Sequence, residues 1–142
     1  MEYHGADGAL CWSVQARDIV LLAEYTTDEG PFVDDYFLVF VTQPGGGEQY
    51  VTASFYAEGS DEVVGRLAEC WGAEVGLSLA HSTDWNSRVI WPPELAEQEY
   101  FEVIEVPPGT LLARLREAVF GPVYTHLPSK AVREYLARRG QR

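Results

Sequence analysis

Eight residues, 81–88, bring together an imidazole, a carboxylate, an amide, a guanidinium, three hydroxyls and an indole between two apolar stretches. His81 and Asp84 are the residue types of an acid–base pair in which the carboxylate orients the ring. Arg88 is the type that grips an anion through its fork of N–H donors. The same composition also builds a self-supporting turn. Ser82, Thr83 and Ser87 can satisfy their own backbone, with Trp85 packed over an apolar edge. Catalysis needs a paired, perturbed titratable group in a cleft, which spacing alone does not supply, so the stabilised loop is the preferred reading.

Binding chemistry is suggested at two further places. Tyr50, Thr52, Ser54 and Tyr56 alternate with Val51, Ala53, Phe55 and Ala57. If no helix covers that polar face, it is a flat tyrosine patch of the kind enriched at interfaces. Asp28, Glu29, Asp34 and Asp35 crowd one loop. They offer hard oxygen ligands for Ca²⁺ but not in the spaced order of an EF-hand, so a solvated acidic binding loop is expected instead. No metal and no cofactor is expected. His4, His81 and His126 are isolated, and the two cysteines do not have zinc spacing. The run Gly76 to Ala80 resembles a nucleophile elbow only superficially, because Leu77 and Leu79 continue an alternation. Gly45, Gly46 and Gly47 lack the Lys and Ser/Thr of a phosphate loop, and Glu48 would repel phosphate. A mobile hairpin tip is expected there.

The elements that must position these residues follow from period and punctuation. Strands are expected around 10–14, over 18–26, over 36–42 and over 50–57. The third is apolar on both faces, as a covered central strand should be. Gly30 and Pro31 break the chain between the second and third. A helix capped by Ser60 carries Val63, Val64, Leu67, Ala68 and Trp71 on one stripe and ends at Gly72. Further strands are expected at Val75–Leu79, at 89–91 and over 100–106, with one helical turn at 94–99. Thr110 caps a second helix that turns Leu111, Leu112, Leu115 and Val119 inward and stops at Gly121 and Pro122. A short extended piece spans 123–126. Ser129 then caps a basic last helix and tail over 129–142, in which Val132, Tyr135 and Leu136 form the buried stripe. The fold class is α+β. One domain over 1–142 has a mainly antiparallel or mixed sheet of about six to eight strands, with three helices largely on one face.

The chain has 142 residues and a net charge of −12. Residues 1–110 hold 20 acids against 3 bases, a net −17, whereas residues 111–142 hold 2 acids against 7 bases, a net +5. Such an acidic body repels nucleic acid, whose binding needs Lys and Arg on the phosphates. It attracts a basic protein instead. No apolar run is long enough to span a membrane, and the N-terminal residues do not form a signal peptide. Cys11 and Cys70 have apolar neighbours, so free, buried thiols in a cytoplasmic protein are expected.

These features predict a small acidic cytosolic protein-interaction domain, an inhibitor or immunity-type binder of a basic partner that uses the acidic loop, Tyr50, Tyr56 and Trp85. The alternative is a small enzyme or ligand-binding protein centred on His81, Asp84 and Arg88. A third arrangement that the charges allow is a homo-oligomer, with the basic tail of one copy on the acidic body of the next.

Overall fold

A computed structural model describes residues 1–4, 7–30, 33–44, 47–121 and 124–140. Its centre is a four-stranded antiparallel sheet ordered β5-β4-β3-β6, with β3 at Ile19–Thr26, β4 at Tyr36–Thr42, β5 at Gln49–Ser54 and β6 at Asn86–Trp91. Two small ladders flank it: β1 (Glu2–His4) with β2 (Leu10–Ser13), and β7 (Phe101–Glu105) with β8 (Tyr124–Pro128). The α+β class is as expected, and the eight strands form three separate antiparallel sheets.

β3 and β4 read as near-continuous apolar runs because both faces of the sheet are covered. Leu22, Leu38, Phe40 and Ile90 point to one side, where Val64 and Leu67 of α1 (Ser60–Trp71) meet them. Leu21, Ala23, Val39, Val41 and Val89 point to the other, where Val132, Tyr135 and Leu136 of α3 (Lys130–Gly140) pack with Leu95 and Tyr100. The helices therefore do not share one face, as the sequence suggested. The α1 and α3 stripes take opposite sides of a sheet that has two apolar sides.

α1 starts one residue differently from expectation. Gly59 is the cap, at φ 85°, and the Ser60 hydroxyl donates to the Ala57 carbonyl at 2.8 Å. That left-handed backbone suits a residue without Cβ, so the serine is displaced into the first turn. Gly72 ends the helix at φ 60°, as expected.

The anticipated strand at Val75–Leu79 is not formed, and residues 73–79 pair with no ladder. Their N–H groups serve a buried side chain, described below. Glu94 to Glu99 forms turns, with Glu97 at φ 69°. Its N–H donates to Val89 O at 3.0 Å, and Val89 N–H donates to Gln98 O at 2.8 Å, which closes the free edge of β6.

α2 (Leu111–Phe120) is capped as expected, the Thr110 hydroxyl accepting from Ala113 N–H at 3.2 Å. Its orientation overturns the expectation. Leu111, Leu112, Leu115, Val119 and Phe120 are all exposed, from 57 % to 81 %, and no residue of the helix is buried. The less exposed positions are Ala113 and Glu117, which sit over the turn at 106–109. Cys11 and Cys70 are free, as anticipated, but both are exposed rather than buried. The glycine tip at Gly45 and Gly46, and the roles expected of Pro31, Pro122, Val123 and Arg142, fall outside the described residues.

Candidate functional site

Arg88 does not face outward with His81 and Asp84. Register places it opposite Glu24 on β3, and its Nε donates to Glu24 Oε1 at 2.8 Å. Its Nη2 also bonds Glu24 and the Gly76 carbonyl, the latter at 2.6 Å, and its Nη1 bonds Glu97. Glu24 is fully buried. It accepts from the Tyr36 hydroxyl, from Ser78 N–H at 3.1 Å and from Leu79 N–H at 3.4 Å. An ionised carboxylate survives burial only when its oxygens are filled with donors and its charge is paired, and both conditions hold here. Desolvation lowers the basicity of Arg88, but its bonds to Glu24 and then Glu97 outweigh it, so the guanidinium is held even more firmly protonated. Burial and the bond to Glu24 push the Tyr36 phenol far above its ordinary range.

His81 and Asp84 remain exposed, and among the described residues no hydrogen bond joins them. The Asp84 contribution is its backbone carbonyl, which accepts from the Thr26 and Ser82 hydroxyls at 2.7 and 3.2 Å. Ser87 Oγ accepts from Phe101 N–H at 2.9 Å. Trp85 is half exposed and stacks on Tyr25 and on His126, with centroids 6.1 and 4.1 Å apart. The Asp84 carbonyl, the Ser87 hydroxyl and the Arg88 guanidinium thus serve as anchors, and Glu24, absent from the sequence reading, is the centre of the Arg88 network. The clue to Glu24 was one acid inside an otherwise apolar strand.

A cleft of about 540 Å³ opens on the α3 side of the sheet, at the β5 edge. Tyr25, Val39, Tyr50, Thr52, Tyr100, Phe101 and Pro128 wall it, and Glu48 and Arg133 bring charge. Tyr50 is half exposed and donates its hydroxyl to Glu48. The Arg133 guanidinium is engaged by Glu102 Oε1 at 2.6 Å and by the Pro128 carbonyl. Tyr100 is 1 % exposed, yet its hydroxyl has no partner among the described residues. Burial first, then the neighbouring Tyr50 and Glu48, push its phenol well above the ordinary value, so it stays a protonated donor. The tyrosine face is split: Tyr50 and Thr52 line this cleft, Ser54 is buried, and Tyr56 lies beyond the end of β5.

Tyr56 belongs to a different surface. Its hydroxyl donates to Asp35 Oδ1 at 2.8 Å, while Thr27 N–H donates to Asp35 O at 2.8 Å and closes the β3–β4 loop. This loop, with Asp28, Glu29 and Asp34 exposed, lies at the same end of the sheet as Glu58, Asp61 and Glu62 at the start of α1. Val33, Tyr56 and Trp85 are large exposed apolar groups at that end. Arg66 reaches Glu62 at 4.0 Å.

Compared with known protein families, curated proteins and solved structures, the chain matches none. Among the described residues, no group of three His, Cys, Asp or Glu is placed to hold a metal ion. Among the described residues, no helix is long and apolar enough to cross a membrane.

Proposed function

We propose that the protein is a small non-catalytic interaction domain that binds a basic protein through the acidic end of its sheet. The observation that carries this reading is the placement of exposed Asp28, Glu29, Asp34, Glu58, Asp61 and Glu62 at the end of the sheet that also exposes Val33 and Tyr56. An aromatic anchor ringed by charge is the usual anatomy of a protein interface. The net −17 of residues 1–110 adds long-range attraction for a positive surface. Inhibition of a basic enzyme, as an immunity protein does, is the specific form this reading takes. Two exposed free thiols fit a reducing cytoplasm.

The exposed stripe of α2 extends the same reading to a second contact. A contiguous apolar helix face in water marks an interaction surface. A second copy of this chain is the occupant that charge favours, because Arg114 and Arg116 flank the stripe and the body is acidic. The enzyme alternative would need Arg88 free to meet a substrate, and Arg88 is committed to Glu24 and Glu97.

The test is the binding rate to a small basic protein, such as a ribonuclease, across salt. Association should slow steeply with salt while dissociation changes little. The triple variant Asp28→Lys, Glu29→Lys, Asp34→Lys should abolish that dependence. Unchanged association by the triple variant would move the contact elsewhere, and tighter binding to DNA than to any protein would overturn the reading.

A further inference from the structure

We infer that the cleft between β5 and the start of α3 is a binding site for a small organic cation, an ammonium group carried on an aromatic or apolar body. This site is separate from the acidic end and independent of a protein partner there.

The size and the walls come first. A cleft of about 540 Å³ has the volume of a small-molecule site, and its lining is mostly apolar and aromatic with a few converging polar groups. Three tyrosines, Tyr25, Tyr50 and Tyr100, surround it with Phe101. Ring faces attract cations, a preference that neutral or anionic ligands do not share.

Charge then selects the sign of the ligand. Arg133 is the cleft's cation, and Glu102 already neutralises it at 2.6 Å. Glu48 is the cleft's anion. Among the described residues no Lys, Arg or His lies within 4.0 Å of it, and its bond is from the Tyr50 hydroxyl. The uncompensated charge in the cleft is therefore negative. An ammonium group would donate to Glu48.

The third observation is the Tyr100 hydroxyl. Its residue is 1 % exposed, it lines the cleft, and it is without a hydrogen-bond partner among the described residues. The buried side-chain atom left without a partner among the described residues is Thr27 Oγ1, not this hydroxyl, so the Tyr100 oxygen is open to the cleft and its lone pairs are available to a donor. Its phenol oxygen would accept one ammonium N–H and Glu48, on the same cleft, a second. The aromatic body then lies along Tyr25, Val39 and Phe101.

Three probes of one shape and different charge decide the matter: 2-phenylethylamine, 2-phenylethanol and phenylacetate, titrated into the full chain and followed by amide shifts. The amine should saturate with a Kd of roughly 0.1–1 mM, in the range of a very small ligand. Shifts should gather at Tyr50, Thr52, Tyr100, Phe101 and Arg133. The alcohol should bind about five- to tenfold more weakly, and phenylacetate should not saturate. Glu48→Gln, a change on an exposed side chain, should bring the amine down to the level of the alcohol. Tyr100→Phe should weaken the amine about threefold to tenfold. If Tyr100→Phe fails to fold, Tyr50→Phe, which frees Glu48 of its internal donor, provides the second reading and should not weaken the amine. Equal binding of all three probes, preference for the anion, shifts at the acidic end instead, or no saturable binding would each overturn the assignment.

Discussion

The α3 side of the sheet and the arm made of β7, α2 and β8 use similar residues and end in opposite environments. Leu136 on α3 is 1 % exposed, whereas Leu115 on α2 is 57 % exposed, although both sit on apolar stripes at helical spacing. Chain geometry explains the difference. α3 begins straight after Ser129, whose N–H donates to Tyr100 O at 2.7 Å, so the helix lands on the sheet. α2 begins after Pro107, Pro108 and Gly109, at the far end of a five-residue strand. Such a strand rises roughly 17 Å, which carries the helix beyond reach of the core. An apolar stripe says that a helix has something to bury. The topology decides whether the same chain supplies the cover.

The largest effect should come from the best-satisfied polar group of the body. Arg88→Ala leaves the Glu24 carboxylate buried without its cation, and urea unfolding should show a loss of about 3–5 kcal/mol. The double variant Glu24→Gln, Arg88→Met should recover a substantial part. A loss below about 1 kcal/mol for Arg88→Ala would mean that the pair is not structural, and would free Arg88 for the ligand-binding alternative.

Paired leucine truncations sharpen the contrast directly. Leu136→Ala should destabilise by about 2–5 kcal/mol, as buried leucines do. Leu115→Ala should change the stability of the monomer by less than about 0.5 kcal/mol, the range of surface substitutions. Equal losses at the two positions would show that α2 is covered in solution, and concentration dependence of the Leu115→Ala effect would identify the cover as a second copy.

The same contrast marks what could be read from residues alone. The four main strands, the three helices, the Thr110 cap and the α3 stripe were legible, because period and punctuation are local properties. Glu24 was not, since its partners come from β4, β6 and the segment 73–79, far away in sequence. In that segment Val75, Leu77 and Leu79 alternate as in a strand, and alternation also fits an extended chain that donates its N–H groups to a carboxylate. Of the residues expected to form a site, Tyr50 reaches the cleft, Tyr56 and the acidic loop share one end, and Trp85 stacks on His126. His81 stands apart. The two cysteines were misjudged for a related reason: apolar neighbours in sequence are not neighbours in space. Both thiols should therefore react with a thiol reagent in the native protein, at a rate close to that seen after unfolding. Slow reaction at either one would place it back in the core.

The smallest effect lies where the arm joins the body. Glu102 on β7 accepts from Arg133 on α3, and Lys130 N–H donates to its second oxygen at 3.3 Å. The bond from Arg133 leads, and the Lys130 backbone bond and the two positive charges add to it, so the carboxyl is held below its ordinary 4.5. A group whose value is lowered on folding stabilises the fold above its unfolded value. That contribution fades as pH falls below about 4.5 and is gone once pH passes the lowered value. Because the carboxylate is at the surface, salt and water screen the pair, and the expected change is local rather than global. The amide shifts of Lys130 and Arg133 should titrate together with a midpoint below 4.5, and Glu102→Gln should remove that titration. Amides of β3 and β4 should not follow it. If they titrate with the same midpoint, the arm is coupled to the whole core and the division between the two regions fails.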